Sequence, residues 1–102
     1  MLELFQTEWC PSSHRVRQRL TELELLFVAR PVPAERSERT ELRERTGVES
    51  IPVLVTEAGD VVPGEEAILA YLAEHHLEPA GAEAHRERAA RVKQRELEEA
   101  CG

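Results

Sequence analysis

The start of the chain alternates between strand and helix, and this alternation limits the folds that it can adopt. Residues 2–6 (LELFQ) predict a short strand, and Pro11 suits the first turn of a helix, where its missing N–H costs nothing. An apolar stripe at every third or fourth position over residues 16–23 predicts the inner face of that helix, which we expect to end near Leu25. Residues 26–29 (LFVA) predict a second strand. A strand, a helix and a strand in this order form a right-handed crossover between parallel strands.

The rest of the chain adds a hairpin and further helices. The predicted elements are a short, mostly solvated helix over residues 40–46 with Ser37 as its N-cap, a hairpin of 53–55 with 61–62, a helix from Glu65 and a highly charged last helix at about 82–100. The hairpin strands make the sheet mixed. We therefore predict an α/β fold with a four-stranded mixed sheet flanked by helices. We expect residues 1–102 to form one domain, with a core over 1–79 and the C-terminal helix packed on it.

Length and charge limit the function. A chain of 102 residues suits one compact domain. Its formal net charge of -7 argues against nucleic acid as a partner. No apolar stretch approaches the roughly 20 residues of a membrane span, and the first residues lack the basic and apolar segments of a signal peptide. We expect a cytoplasmic protein with no membrane partner.

The two cysteines, Cys10 and Cys101, lie far apart and show no zinc-type spacing, so no metal site is predicted. In a reducing compartment a lone cysteine is either a packed apolar residue or a reactive thiol. Cys10 falls at the predicted start of the first helix, where free N–H groups and the helix dipole stabilise a thiolate. His14 and Arg15 bring further positive charge nearby. Ser13 stands where a C-x-x-C pair would have its second cysteine.

Three stretches resemble two related families. They are CPSS at 10–13, before the first helix, SIPVL at 50–54, before the third strand, and GEEAILAYLAE at 64–74, at the start of a later helix. On these stretches the chain resembles glutaredoxins and the N-terminal domain of glutathione transferases. The resemblance implies a thioredoxin-like fold of the glutaredoxin type. The residues after Pro79 are too few for the helical second domain of a transferase, so we do not expect a complete transferase.

The resemblance implies thiol-disulfide exchange by a monothiol cycle. Cys10 is the expected nucleophile, and Ser13 is its catalytic neighbour because its hydroxyl or N–H can donate to the thiolate. Pro11 and His14 are expected to support that thiolate. A single thiol takes a glutathionyl group from a mixed disulfide and passes it to a second small thiol. Glutathione or a similar small thiol is therefore the expected cosubstrate, mixed-disulfide proteins are the expected partners, and no tightly bound cofactor is expected.

The resemblance also implies a glutathione site on two further segments. Pro52 corresponds to the cis-proline of the fold, which turns the N–H and C=O of Ile51 toward an extended peptide. Glu65 matches the acid that faces the ligand's ammonium at a helix start, whereas Glu66 replaces the serine of the transferases. Arg15 is the expected partner of a ligand carboxylate.

Several alternatives remain open on the residues alone. Two acids at a helix start also fit simple capping of the helix dipole, and Ser13 also fits an ordinary first-turn serine. A non-catalytic module of the same fold would hold a small thiol or peptide through Trp9 and the Ile51 edge. An iron–sulfur carrier is less favoured, because the monothiol family known for that role has C-G-F-S where this chain has C-P-S-S. Cys101 could resolve the disulfide if the last helix folded back, and Arg17 of the first helix is expected to be solvated.

Overall fold

Four strands and four α-helices build residues 1–92, the part of the chain that this computed structural model describes. In chain order they are β1 (Leu2–Gln6), α1 (Pro11–Glu22), β2 (Phe27–Pro31), α2 (Thr40–Thr46), β3 (Val53–Val55), β4 (Val61–Pro63), α3 (Glu65–His75) and α4 (Ala82–Val92). The predicted order is confirmed over this range. The predicted continuation of the last helix to about residue 100 lies outside the described residues, as does Cys101. None of the helices between residues 1 and 92 is long and apolar enough to cross a membrane.

The four strands form one mixed sheet in the order β2-β1-β3-β4. β1 and β2 are parallel, as the α1 crossover requires, with Leu4 opposite Ala29. β3 lies antiparallel to β1 on its other side, with Leu54 opposite Leu4, and β4 pairs antiparallel with β3 as the second arm of the hairpin. The prediction of a four-stranded mixed sheet flanked by helices is confirmed.

Alternation along the strands divides the core between the two faces of the sheet. Leu4 and Leu54 belong to the cluster that α1 and α3 cover. Phe5 and Val53 belong to a second cluster, which contains Leu42, the only aliphatic residue of α2. Each of these five residues is at most 1% exposed, so both clusters are closed to water.

The first helix ends earlier than the sequence predicts, at Glu22 rather than near Leu25. Glu24 has a φ of 57°, in the left-handed region, where a right-handed helix cannot continue. This turn also delays the second strand. β2 begins at Phe27 instead of Leu26 and extends to Pro31.

The segment before α2 is held by a buried arginine rather than by the predicted cap, Ser37, which lies in a 3₁₀ turn. Arg39 directly precedes α2 and is 7% exposed. Its guanidinium donates to the carbonyl oxygens of Pro33 at 2.9 Å, Ala34 at 3.2 Å and Glu49 at 2.9 Å. Because these carbonyls lie on both sides of α2, the arginine fixes the path of the chain toward β3.

A buried glutamate anchors α4 to α1. Glu22 is 3% exposed, and its carboxylate accepts hydrogen bonds from Gln18 at 2.9 Å, Arg19 at 3.0 Å and Arg86 of α4 at 3.4 Å. Glu78 pairs with the same two arginines, at 3.1 Å to Arg19 and 3.2 Å to Arg86. A buried charge is tolerated when it is paired in this way.

A third carboxylate, Glu3 of β1, joins the sheet to α2. Its two oxygens accept hydrogen bonds from Arg45 of α2 at 2.9 and 2.8 Å, and one of them also accepts from Arg30 of β2 at 2.7 Å. The hydrogen bonds from Arg45 and then from Arg30 hold the pKa of Glu3 at about 2.

Acid should weaken the fold through Glu3. Since its pKa is lowered from 4.5 to about 2, the bridge stabilises the folded chain above pH 4.5, and this contribution is lost as the pH falls through about 2. We expect Glu3→Gln to lower the free energy of unfolding at neutral pH by on the order of 1 kcal/mol. The variant should also show a smaller decrease in the free energy of unfolding as the pH falls from 4.5 to about 2. Urea unfolding at a series of pH values measures both effects.

Glu87→Gln is the matched control, because Glu87 is an exposed carboxylate of α4. It should leave the pH profile of stability unchanged. A Glu3→Gln protein with the wild-type profile would show that the bridge does not stabilise the fold.

Candidate functional site

Cys10 lies at the junction between β1 and α1 and is the N-cap residue of α1. Its φ of -78° and ψ of 118° are extended, and Pro11 follows as the first helical residue. The sulfur accepts a hydrogen bond from the backbone N–H of Ser13 at 3.4 Å, the position that a serine or aspartate oxygen occupies in ordinary helix caps. Cys10 is a free thiol in the described part of the chain, and it is partly exposed.

Several contacts bear on the protonation of Cys10. Partial burial raises the pKa of the thiol. The Ser13 side chain, the backbone N–H groups of Ser13 and Ser12 and the charge of Arg17 lower it, and together they prevail, so that the pKa of Cys10 lies below its ordinary value. A thiolate is the nucleophile in disulfide exchange, and a lowered pKa increases the fraction of it at neutral pH.

Ser13 is fully buried, and its Oγ has no partner of regular hydrogen-bond geometry among residues 1–92. The side chain nevertheless lies close enough to Cys10 to lower its pKa. A buried hydroxyl without a partner is unfavourable, and a thiolate at Cys10 would supply the missing acceptor. This arrangement favours the predicted role of Ser13 over that of an ordinary first-turn serine.

Arg17 is a site residue that the sequence does not reveal. Its side chain is only 19% exposed, contrary to the expectation of a solvated arginine. It donates to Gln6 Oε1, to the carbonyl oxygen of Thr7 at 3.1 Å and to that of Glu8 at 3.4 Å. These bonds tie α1 to the segment that leads from β1 to Cys10, and the same charge lowers the pKa of the thiol.

The proline segment before β3 lies against the start of α3. The Ile51–Pro52 peptide bond is cis, as the resemblance predicts, whereas a ligand contact at Pro52 stays a prediction. The carbonyl oxygen of Pro52 accepts a hydrogen bond from the N–H of Gly64 at 2.8 Å. Within residues 1–92 the N–H and C=O of Ile51 form no hydrogen bond, so this edge is available to an extended ligand.

The starts of α1 and α3 are joined by an ion pair. Arg15 donates to both oxygens of Glu65, from Nε at 2.5 Å and from Nη2 at 2.8 Å, and Nη2 also lies 3.4 Å from Ser12 Oγ. The hydrogen bonds from Arg15 and then from Ser12 lower the pKa of Glu65. In this structure Arg15, the predicted partner of a ligand carboxylate, therefore binds the predicted ammonium-binding acid. The two predicted ligand contacts form one bidentate pair.

Two further predicted site residues, Glu66 and His14, are exposed. Glu66 is exposed beside Glu65. His14 is exposed and lines a groove of about 430 Å³ together with Phe27 and residues of α4. The charge that lowers the pKa of Cys10 comes from Arg17, and a supporting role of His14 stays a prediction. No group of His, Cys, Asp or Glu side chains in the described range is arranged to hold a metal ion.

Comparison with known proteins gives one family and many similar structures. The family model described as Glutaredoxin matches residues 2–62. A diazinon-metabolizing glutathione S-transferase of the silkworm Bombyx mori is 30% identical, with a TM-score of 0.65 over 74% of this chain and 38% of that one. A rice glutathione S-transferase in complex with glutathione is 27% identical, with a TM-score of 0.63 over 90% of this chain and 44% of that one.

A third structure, a glutathione transferase family member of Pseudomonas fluorescens with bound glutathione, is 23% identical, with a TM-score of 0.69 over 88% of this chain and 47% of that one. The chain thus spans less than half the length of these three proteins. No curated protein gives a significant match. The structural matches confirm the thioredoxin-like fold.

Removal of the Ser13 hydroxyl should make Cys10 less reactive. We expect Ser13→Ala to raise the pKa of Cys10 and to slow its alkylation at pH 7 by roughly three- to tenfold, because a hydrogen bond to the charged form is lost. Rates of iodoacetamide alkylation over a range of pH, in a Cys101→Ser background, measure the shift. Ser12→Ala is the control, since the Ser12 hydroxyl lies beside Arg15 and Glu65. Equal rates for Ser13→Ala and Ser12→Ala would contradict the role of Ser13.

Loss of the Arg17 side chain should affect both the fold and the thiol. Arg17→Met leaves the acceptors on Gln6 and Thr7 without their donor, so we expect the free energy of unfolding to fall by about 1–2 kcal/mol. The pKa of Cys10 should rise in the same variant. Arg88→Met removes an equal charge from an exposed position of α4 and should change stability by less than about 0.5 kcal/mol. Urea unfolding and alkylation rates test both effects, and a wild-type alkylation profile for Arg17→Met would remove Arg17 from the site.

Proposed function

The chain belongs to the glutaredoxin family, and on this basis we propose that it exchanges glutathione or a similar small thiol with mixed disulfides through Cys10. One observation carries the proposal. The sulfur of Cys10 caps α1, accepts the Ser13 N–H and has a lowered pKa. A partly exposed thiolate at a helix start is the group that disulfide exchange requires.

The proposed reaction has two exchange steps. In the first, the Cys10 thiolate attacks the glutathionyl sulfur of a mixed disulfide, the old S–S bond breaks, and the substrate thiolate leaves with the electron pair. In the second, the thiolate of a free glutathione attacks the glutathionyl sulfur on Cys10. Glutathione disulfide forms and Cys10 leaves as a thiolate. The donors from Ser13 and Ser12 and the charge of Arg17 stabilise that leaving group.

Ser13 decides which thiol completes the cycle. A serine cannot form a disulfide with Cys10, so the bond on Cys10 is resolved by an external thiol. A buried donor at this position stabilises the Cys10 thiolate before the first step and as it leaves in the second step. The proposed cycle is therefore monothiol. Each turn consumes one molecule of reduced glutathione, and the glutathionyl group of the substrate supplies the other half of the glutathione disulfide.

The small thiol is proposed to lie across the two segments beside Cys10. The free N–H and C=O of Ile51 would pair with the cysteinyl part of glutathione. Glu65 would take the ammonium of the γ-glutamyl end, and Arg15, already paired with Glu65, would take its carboxylate. Glu66 is exposed and lies next to Glu65. The rice transferase bound to glutathione, at 27% identity, supports this ligand class.

The proposed reaction takes place in the cytoplasm, on proteins that carry mixed disulfides. The second step needs reduced small thiol, which the cytoplasm supplies. The substrates would be proteins whose cysteines carry a glutathionyl group. Trp9, which is 66% exposed beside Cys10, offers an aromatic surface to such a protein.

A second candidate function is a non-catalytic module of the same fold. The exposed Trp9 and the unpaired backbone of Ile51 favour it, because both can hold a peptide or a small thiol without any bond exchange. Such a module would not need the thiol of Cys10. The two candidates therefore differ in their dependence on that residue.

The wild-type protein should turn over a glutathionylated peptide with reduced glutathione. Release of glutathione disulfide, measured by coupling to glutathione reductase and NADPH, reports the complete cycle. We expect Cys10→Ser to abolish turnover, since the nucleophile is lost, and Cys101→Ser to retain it, since an external thiol resolves the intermediate.

Two outcomes would overturn this proposal. Loss of activity in Cys101→Ser would mean that the resolving thiol lies within the chain. Glutathione binding with no turnover, equal in wild type and Cys10→Ser by calorimetry, would establish the non-catalytic module instead.

A further inference from the structure

A groove of about 750 Å³ lies at the base of the sheet, far along β1 from the thiol. Its apolar lining includes Leu25, Leu26 and Tyr71, and its acidic lining consists of Glu24, Glu57 and Asp60. We call it the base groove. Leu2, the first residue of β1, also lines it, whereas Cys10 follows the last residue of β1. The base groove is therefore separate from the proposed thiol site.

The base groove favours positive charge. Within residues 1–92 the carboxylates of Glu24, Glu57 and Asp60 form no ion pair, although many other glutamates of this range do. Its lining residues in the described range include no Lys or Arg side chain, although they include the first residue, Met1, and two histidines, His75 and His76. The C-terminal ends of α1 and α3 also face it, because Glu24 follows α1 and His75 ends α3. Helix C-termini carry partial negative charge, which adds to the three carboxylates.

The base groove also exposes apolar surface. Leu26 is 78% exposed and Met1 is 63% exposed, and both line the groove beside the half-buried Tyr71. Apolar side chains exposed next to a groove are typical of surfaces that bind another macromolecule. A small cation would neutralise the carboxylates but leave Leu26 in water. The occupant must therefore supply apolar atoms as well as positive charge.

The backbone at the rim has an uncommon conformation. Glu24 has a φ of 57°, a left-handed position that closes helices and that glycine fills with less strain. A non-glycine residue there is disfavoured by roughly 1 kcal/mol. The carboxylate on the rim of the base groove is thus carried by a position that glycine would adopt with less backbone strain. Backbone strain of this kind is concentrated at functional surfaces.

We propose that the base groove docks a segment of a partner protein that carries Lys or Arg together with apolar side chains, such as one face of a basic amphipathic helix. The cations pair with the three carboxylates and the helix carbonyl ends, and the apolar side chains cover Leu26. An acidic segment or an anionic membrane surface would be repelled by the same carboxylates. Because the base groove is separate from Cys10, a docked protein leaves the thiol free. This surface goes beyond the proposed exchange reaction and does not depend on it.

A labelled peptide of leucine and lysine at amphipathic helical spacing tests the docking surface. Fluorescence anisotropy should show binding to the full chain, and the matched peptide with glutamate in place of lysine should not bind. We expect Glu57→Lys with Asp60→Lys to weaken binding about tenfold or more. Leu26→Ser should also weaken it, because the apolar contact is lost.

The charge control is Glu83→Lys with Glu87→Lys, which changes the net charge equally at exposed positions of α4. It should bind the peptide nearly as well as wild type. Equal weakening by both charge reversals would mean that peptide binding depends on net charge alone. Unchanged binding by Leu26→Ser would show that the apolar contact does not contribute. Either result, or no binding to wild type, overturns the proposal.

The alkylation rate of Cys10 is measured on the same proteins. It should be unchanged in every base-groove variant, since these residues lie away from the thiol. A failed docking test with normal Cys10 chemistry therefore counts against the base groove and leaves the thiol exchange proposal standing. A base-groove variant with altered Cys10 alkylation would contradict the separation of the two surfaces.

Discussion

The chemistry of this chain depends on the sulfur of Cys10 accepting the first free N–H groups of α1. Those N–H groups have no partner within a helix, so an acceptor must be supplied at its start. β1 delivers Cys10 to that position, Pro11 starts the helix, and the Ser13 N–H donates to the sulfur. A cap that is anionic is favoured over a neutral one, because the helix start is the positive end of its dipole. The need to cap α1 and the need for a reactive thiolate are met by the same atom.

The surrounding site brings together three segments that are distant in sequence. Arg17 fixes the approach from β1, and the Arg15–Glu65 pair joins the starts of α1 and α3. The bond from Gly64 to Pro52 adds the proline segment. Charges of both signs at the helix starts suit a ligand with an ammonium and a carboxylate, which is the chemistry of the γ-glutamyl end of glutathione. The base groove combines three carboxylates with exposed Leu26 and has no Arg or Lys side chain among its lining residues in the described range, so the two surfaces select different ligands.

Most of the fold could be predicted, because strands and helices alternate along the chain and proline or glycine residues mark many of their ends. The bounds of β1 and β3 agree with the prediction. The end of α1 does not, since Glu24 takes a left-handed conformation that a glutamate rarely adopts. Cys10 and Ser13 follow from local position at a helix start, and Pro52 follows from the resemblance. The roles of Arg17 and of the Arg15–Glu65 pair depend on contacts with residues outside α1. Helical spacing within α1 does not predict those contacts.

The most direct test of the account is the pKa of Cys10 in the otherwise unchanged fold. Thiolate absorbance of a Cys101→Ser protein, titrated against the Cys10→Ser, Cys101→Ser double variant, isolates this one group. The account predicts a midpoint below that of free cysteine, because the helix start, Ser13 and Arg17 outweigh the effect of burial. A midpoint at or above that of free cysteine would show that the sulfur is only a packed cap, and it would contradict the exchange chemistry proposed for it.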